Sequence, residues 1–380
     1  MNYYKPSDWL KIQVANSCGL DKVTYEERIA AFDSLTENQA ENYMLYRNTM
    51  KAYRDFKEGK PSGIPIMLDA CSSGLQVLSA ITGCIDGCKA TGLINTGRRP
   101  NAYRDIEAAM KRRGVEGEIE YDDIKKAAMT HFYGSKQVPL TLLGEEVLEP
   151  FYEACKEVLP GAMKATNIML RIWNQKKNSQ SWRMPDGYFV YCPTVVKNSA
   201  VHYNEEIEEY FNFFYQEQTT LDKGISNAAN ITHSIDAYIL RSLIRHCSYN
   251  EEDIRKKLKK VEKELGKRTD YKESSIIYPD ITKQNYEEMK TEELMGMFLD
   301  LQDVLIHPSF SVLTVHDCFA CHPNHVNRMR YWYNTIIARL TDICLLDDIV
   351  GQILEEDVYI DCFDYTVNKN DIIENDYAIC

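Results

Sequence analysis

Two aspartates and a lysine stand where phosphate chemistry would need them. Asp69 closes the apolar run 64–68, and Asp317 follows a second run, 311–315, with His316 beside it. Short apolar runs of this kind read as buried strands, so each is expected to deliver a carboxylate to a strand end. Between them in sequence, Lys125, Met129 and Tyr133 recur at four-residue spacing within the stretch 122–135, which puts them on one stripe of a helix. Gly134 is expected to stop that helix. At a rise of ~1.5 Å per residue, the Lys125 ammonium and the Tyr133 phenol would stand ~12 Å apart, about the span of a nucleoside triphosphate. Two carboxylates and a cationic helix suit phosphoryl transfer on a pair of Mg²⁺ ions. Mg²⁺ takes hard oxygen ligands, and two ions ~3.5 to 4 Å apart stabilise both the attacking and the leaving oxygen. Taken alone, the same stripe also fits an ordinary surface helix with Met129 and Tyr133 buried.

The elements that must position these residues have room to form, since 380 residues allow two or three domains and an ample core. The 57 acidic and 44 basic residues give a formal charge of −13. That is the wrong sign for gripping a long duplex, because lysine and arginine neutralising phosphates supply most non-specific affinity. Nucleic acid would have to meet local basic clusters, for which Arg98-Arg99, the triplet Lys111, Arg112 and Arg113, Lys125-Lys126 and Lys176-Lys177 are candidates. Each alone also fits a solvated charged face. The 12 cysteines follow no apolar leader, and no run approaches the ~20 apolar residues of a membrane span. Reduced thiols in a cytoplasm are the expectation. Cys318, Cys321 and His322 fit a haem-attachment pattern, and the stretch 316–325 a zinc cluster. Haem attachment needs export that this N-terminus does not signal, and a zinc site wants a second ligand pair.

Asp69 with Gly74 and Gln76, Lys125 with Met129, Thr130, Tyr133 and Gly134, and the pair His316-Asp317 resemble, in content and order, motifs A, B and C of the single-subunit RNA polymerases of bacteriophages and mitochondria. Residues 230–236 resemble that family's segment between fingers and palm. Residues 371–380 resemble its C-terminal tail, which folds back near the active site. The likeness covers about residues 61–380. It implies an α+β, mainly helical fold, the palm and fingers of a right-hand polymerase, with the thumb and the promoter-binding N-terminal region absent. Residues 61–100 and 233–380 would form the palm and 101–232 the fingers, after a helical segment 1–60 whose Tyr43, Tyr46 and Met50 stripe reads as packing.

The resemblance also implies roles. Asp69, Asp317, Lys125 and Tyr133 would be catalytic, with two Mg²⁺ ions held by Asp69, Asp317 and the Ala70 carbonyl. Tyr103, His233, Met129, Gly134 and His316 would contact or position the substrate, His316 by orienting Asp317. A related DNA polymerase would carry a motif A glutamate that blocks the ribose 2′-hydroxyl, and an acidic residue after the motif C aspartate. Gly74 or its neighbours and Cys318 stand in those places, so ribonucleotides are the expected substrate.

Two departures carry expectations of their own. Tyr121 stands where the family often has a basic residue one turn before the motif B lysine, so phosphate contact is expected from Arg112, Arg113 or a partner chain. Residues 250–300 interrupt the likeness with a helix pattern of alternating charge over 253–265 and a polar loop over 271–285, read as exposed decoration rather than a docking surface. Only 68 residues precede Asp69, which raises the expectation of a split polymerase. A second subunit would supply the thumb-bearing half, with a DNA-binding accessory protein, DNA template, RNA product and ribonucleoside triphosphates as further partners and no membrane. The compartment would be a bacterial host's cytoplasm if the gene is phage-borne. A noncatalytic scaffold subunit and a primase-like enzyme on single-stranded DNA stay open as alternatives.

Overall fold

Strands β1 (Ile66–Asp69), β2 (Ser179–Arg183), β3 (Phe189–Pro193), β4 (Val195–Asn204), β5 (Glu209–Gln218), β6 (Leu313–Val315) and β7 (Cys318–Cys321) pair into three small antiparallel sheets, of which one, in the order β1-β7-β6, carries the aspartates. Helices make up most of the remaining ordered chain, so the fold is α+β. The computed structural model describes residues 1–117, 119–269, 276–363 and 366–380.

The three-stranded sheet is covered on one face only, as antiparallel sheets allow. Ile66 and Leu68 point into the core while Met67 is 43% exposed, and Leu313 and Val315 are exposed as well. The expectation of two fully buried strands is therefore corrected. The run 311–317 is also not one strand ending in Asp317. It is a hairpin, with β6, a reversal at His316 and Asp317, and β7. His316 makes the reversal at φ 54°, in the left-handed region that few non-glycine residues enter.

The free edge of β1 is closed by a side chain. Gln13, on helix Pro6–Ser17, donates from Nε2 to the Pro65 carbonyl at 2.9 Å and accepts the Met67 N–H at 3.1 Å. An amide thus replaces a neighbouring strand and blunts the edge. Trp9, Leu10 and Ile12 of the same helix enter the core that contains Ile66 and Leu68. Helix Tyr43–Lys57 buries Tyr46, Thr49 and Ala52, whereas Tyr43 faces solvent under the Arg47 guanidinium. The packing stripe expected through Tyr43 starts one turn later.

The C-terminal residues run antiparallel to the end of β1. The Cys380 N–H donates to the Asp69 carbonyl at 2.9 Å, and the Cys71 N–H donates to the Ala378 carbonyl at 3.1 Å. Gln76 clasps both from helix Ser73–Ile81. Its Nε2 donates to the carbonyls of Ala378 (2.8 Å) and Thr91 (2.9 Å), and its Oε1 accepts the Tyr333 hydroxyl at 2.9 Å. With these three hydrogen bonds made, the buried amide escapes the penalty of an unpaired group and ties the tail to the helix.

The charged segment is more than decoration. Helix Glu251–Leu265 is capped by Asn250 and buries Ile254 and Val261, packing on helix Thr291–Val304. The following loop is tied down where Asp280 accepts Arg245 Nη2 at 2.9 Å and Lys257 reaches the Ile281 carbonyl. Residues 271–275 of the expected polar loop lie outside the described residues. No helix among the described residues is long and apolar enough to cross a membrane.

Candidate active site

The pairing of β1 with β7 brings the two aspartates together. Asp69 lies opposite Cys318, and the Ala70 N–H donates to the Asp317 carbonyl at 3.1 Å. Both residues line one cleft, whose other walls include Lys125, Met129, Tyr133 and Tyr103. Burial and the neighbouring Asp317 charge raise the Asp69 carboxyl above the ordinary carboxylate range. On helix Ser226–Cys247, Asp236 feels the Asp317 charge without entering the cleft lining, and is pushed up to about 6 by burial and by Asp317. Among the described residues, no side-chain hydrogen bond or ion pair reaches Asp69, Asp236 or Asp317. Asp69 is exposed to the cleft and Asp236 and Asp317 are half-buried, so their oxygens are open to a ligand.

Along helix Tyr121–Phe132 the stripe of Lys125, Met129 and Tyr133 is not the face that packs on the core. Ile124, Ala127, Ala128 and Phe132 are buried, whereas Lys125 is exposed and Met129 is 40% exposed. The core face is thus offset from the Lys125, Met129, Tyr133 line, which turns toward the cleft. Lys125 has no ion-pair partner among the described residues. Tyr133 caps the helix, and Gly134 follows at φ 94°.

Tyr133 is seated by what Gly74 lacks. A Cβ on Gly74 would come within 2.5 Å of the Tyr133 hydroxyl, so any larger residue there displaces the phenol. On its other side, the Tyr133 ring meets the His233 ring at 5.0 Å between centroids. Burial, then Asp236 and Asp317, raise the Tyr133 pKa and keep the phenol protonated. Tyr103, from helix Ala102–Arg112, is buried beside Ser72 with its pKa pushed up to about 12, mainly by burial.

The cations are redistributed relative to the sequence expectation. Arg112 and Arg113 both pair with Glu157, Lys111 pairs with Glu107, Arg98 with Asp105 and Lys177 with Glu355. Arg112 and Arg113 are thus neutralised by their own fold and absent from the cleft lining. The positive walls of the cleft are Lys125, Arg99 and Lys22. Arg99 Nε is buried without a hydrogen-bond partner, while its guanidinium interacts with the Cys380 and Cys71 side chains and lines the cleft. Tyr121 also lines the cleft. Its hydroxyl exchanges hydrogen bonds with the Asn101 amide, and the Arg104 guanidinium lies 4.1 Å over its ring.

His316 is exposed at the hairpin turn and makes no hydrogen bond to Asp317 among the described residues. Its contribution to placing that carboxylate runs through the backbone reversal. The cleft residues Arg99 and Lys22, and Asp236, whose charge acts on Tyr133, were assigned no place in the site from sequence. Asp236 lies three residues after His233 on one helix face, a signal that could have found it. Arg99 was half-visible in the Arg98-Arg99 pair, and Lys22 carried no signal.

Among the described residues, no three His, Cys, Asp or Glu side chains converge as a metal-holding group. A closed structural metal centre is not what this cleft resembles. Asp69, Asp317 and the second lone pair of the Ala70 carbonyl, whose first accepts the Ser72 N–H at 2.9 Å, offer hard, unneutralised oxygens. That donor chemistry fits Mg²⁺, which normally takes one or two protein carboxylates and completes its shell with water and substrate phosphates. No protein-family model matches the chain, and no curated protein matches it.

Proposed function

We propose that this chain is the catalytic palm and fingers of a DNA-directed RNA polymerase that adds ribonucleotides to an RNA 3′ end. The observation that carries the reading is the convergence of Asp69, Asp317, Lys125 and Tyr133 on one cleft, from three separate stretches of sequence. Asp69, Asp317 and the Ala70 carbonyl would hold two Mg²⁺ ions, which when bound lower the pKa of the attacking hydroxyl and offset charge on the leaving oxygen.

The chain's own groups do the rest. Lys125, exposed and unpaired, neutralises the triphosphate and can protonate the departing pyrophosphate. Arg99 offers a second donor to the same phosphates. Tyr133, fixed between Gly74 and His233, presents a protonated hydroxyl with no partner among the described residues, suited to choosing ribose over deoxyribose. His233 holds the Tyr133 ring and faces the primer terminus, and Tyr103 closes the cleft beside Ser72. The reading includes a companion subunit that supplies the thumb.

The test is primer extension on an RNA:DNA hybrid with Mg²⁺ and ribonucleotides, using the chain alone, the chain with copurifying proteins, and the Asp317→Ala variant of each. Extension that the substitution abolishes upholds the reading. Absence of extension in every combination overturns it.

A further inference from the structure

The hairpin of β4 and β5 leaves aromatic surface uncovered on both sides. Its ten-residue strands pair from Val195↔Gln218 to Asn204↔Glu209, and side chains alternate between faces. Tyr203, Tyr210 and Phe214 therefore share one face, and Phe211, Phe213 and Tyr215 the other. Every residue of β5 is exposed, Phe214 to 81% and Tyr210 to 72%. A lone two-stranded hairpin is marginal in water, and clustered exposed aromatics mark interaction sites. The base is nonetheless anchored. Gln218 Nε2 donates to the Asn178 carbonyl at 3.1 Å and to the Tyr191 hydroxyl at 2.7 Å, and the Thr219 N–H donates to the Thr194 carbonyl at 3.0 Å. Through exposed Tyr191 and Phe189 the aromatic surface continues onto β3.

Charge selects the occupant. Residues 195–218 hold five glutamates and one lysine, with Glu205, Glu206, Glu208 and Glu209 gathered at the turn. A nucleic-acid backbone would meet the wrong sign there. A second copy's hairpin would bring the same glutamates against these, on a chain of formal charge −13. We propose that this hairpin is the docking element for a different polypeptide, one that offers an apolar cleft bordered by lysine and arginine. The aromatics act as anchors on both faces and the glutamates set register and orientation. The inference goes beyond the polymerase reading and stands whether or not that reading holds.

The test uses the full chain with a photo-crosslinking residue at Ile207, exposed in the turn. The probes are a short strand-forming peptide of alternating isoleucine and lysine, its glutamate counterpart, and single-stranded DNA and RNA oligonucleotides. The lysine peptide is expected to crosslink and to bind about tenfold or more tightly than the glutamate peptide. Combining Phe211→Ser, Phe213→Ser and Phe214→Ser should abolish that binding. Combining Glu206→Gln, Glu208→Gln and Glu209→Gln keeps the aromatic faces and should weaken it about tenfold. Three results would overturn the proposal: peptide binding indifferent to both variants, oligonucleotide crosslinking at Ile207 that the serine variant removes, or self-association in sedimentation that the serine variant abolishes.

Discussion

Asp300, buried, and Asp236, half-buried, are two carboxylates that the fold treats in opposite ways. Asp300, 1% exposed, accepts both Arg339 terminal nitrogens, at 3.0 and 2.7 Å, and His246 Nε2 at 3.1 Å. Burial alone would raise its pKa, but Arg339 and His246 outweigh burial and hold it well below the usual carboxylate range. Asp236 has burial and Asp317 acting on it and no cation, so it rises to about 6. The same contrast recurs elsewhere. Asp186 is tied to Arg241 and Arg245, and Asp376 to Arg330, whereas Asp69 and Asp317 are left unpaired. The fold pairs its structural carboxylates directly with arginines, whereas the cleft aspartates share a lining with Arg99, Lys22 and Lys125 without pairing to them, so their oxygens remain available to a ligand.

The largest effect should come from the unpaired set and should separate activity from stability. Asp317→Ala is expected to lower primer extension on the order of 10⁴-fold. Because it removes like-charge repulsion from Asp69 and Asp236, its midpoint in urea, measured without divalent cations, should stay level or rise. A large loss of stability would mean that Asp317 is a structural group like Asp300.

Asp300→Ala tests the opposite pole. It strands the Arg339 guanidinium in the core and should cost about 3 to 4 kcal/mol of unfolding free energy. The sign with pH follows from the depressed native pKa. The contribution of Asp300 is complete above the unfolded value of ~3.9 and drains away as pH falls toward the native value. The gap between parent and variant should therefore narrow in acid, as read by denaturant titrations below about pH 4.

Asp236→Asn should do the reverse at smaller size. With a native pKa of about 6 against ~3.9 unfolded, native Asp236 keeps its proton through a window in which the unfolded chain has lost it. Stability of the parent then falls as pH rises from about 4 to 6, and the cost persists above. The two-unit shift corresponds to roughly 3 kcal/mol before solvent screening of this half-buried group, so the variant should be more stable by about 1 to 2 kcal/mol at pH 8 and no different below pH 4, in thermal melts without Mg²⁺. A variant that is less stable at pH 8 would show that Asp236 is paired in solution.

These contrasts were only partly legible in the sequence. The apolar run before Asp69 announced the strand end that bears it, and four-residue spacing announced the Lys125, Met129, Tyr133 line, because both periodicities are local. The His316 reversal was hidden because neither His316 nor Asp317 is flanked by Gly, Pro or Asn. In helix Glu251–Leu265, Ile254, Leu258 and Val261 recur at four- and three-residue spacing, an apolar stripe that the surrounding charges masked. The aromatic run 210–215 carried a strand signal of its own, but that both its faces stay uncovered depends on everything that does not pack against it. Which cations are free is likewise a tertiary property. Nothing near Arg112 in sequence reveals that Glu157 will meet it.

That last point gives the smallest expected effect and the sharpest check on where the cleft finds positive charge. Arg112 and Glu157 form an exposed pair at 2.5 Å, and such pairs contribute about 0 to 1 kcal/mol because solvent screens them and two long side chains must be ordered. Arg112→Ala should therefore leave the urea midpoint nearly unchanged and alter extension by less than about twofold, since Glu157 keeps Arg113 as a partner. Lys125→Ala removes an unpaired cation from the cleft wall and should raise the triphosphate concentration needed for half-maximal extension. If Arg112→Ala raised it by as much, the Glu157 pair would have to open when substrate binds, and the basic triplet would then belong to the cleft.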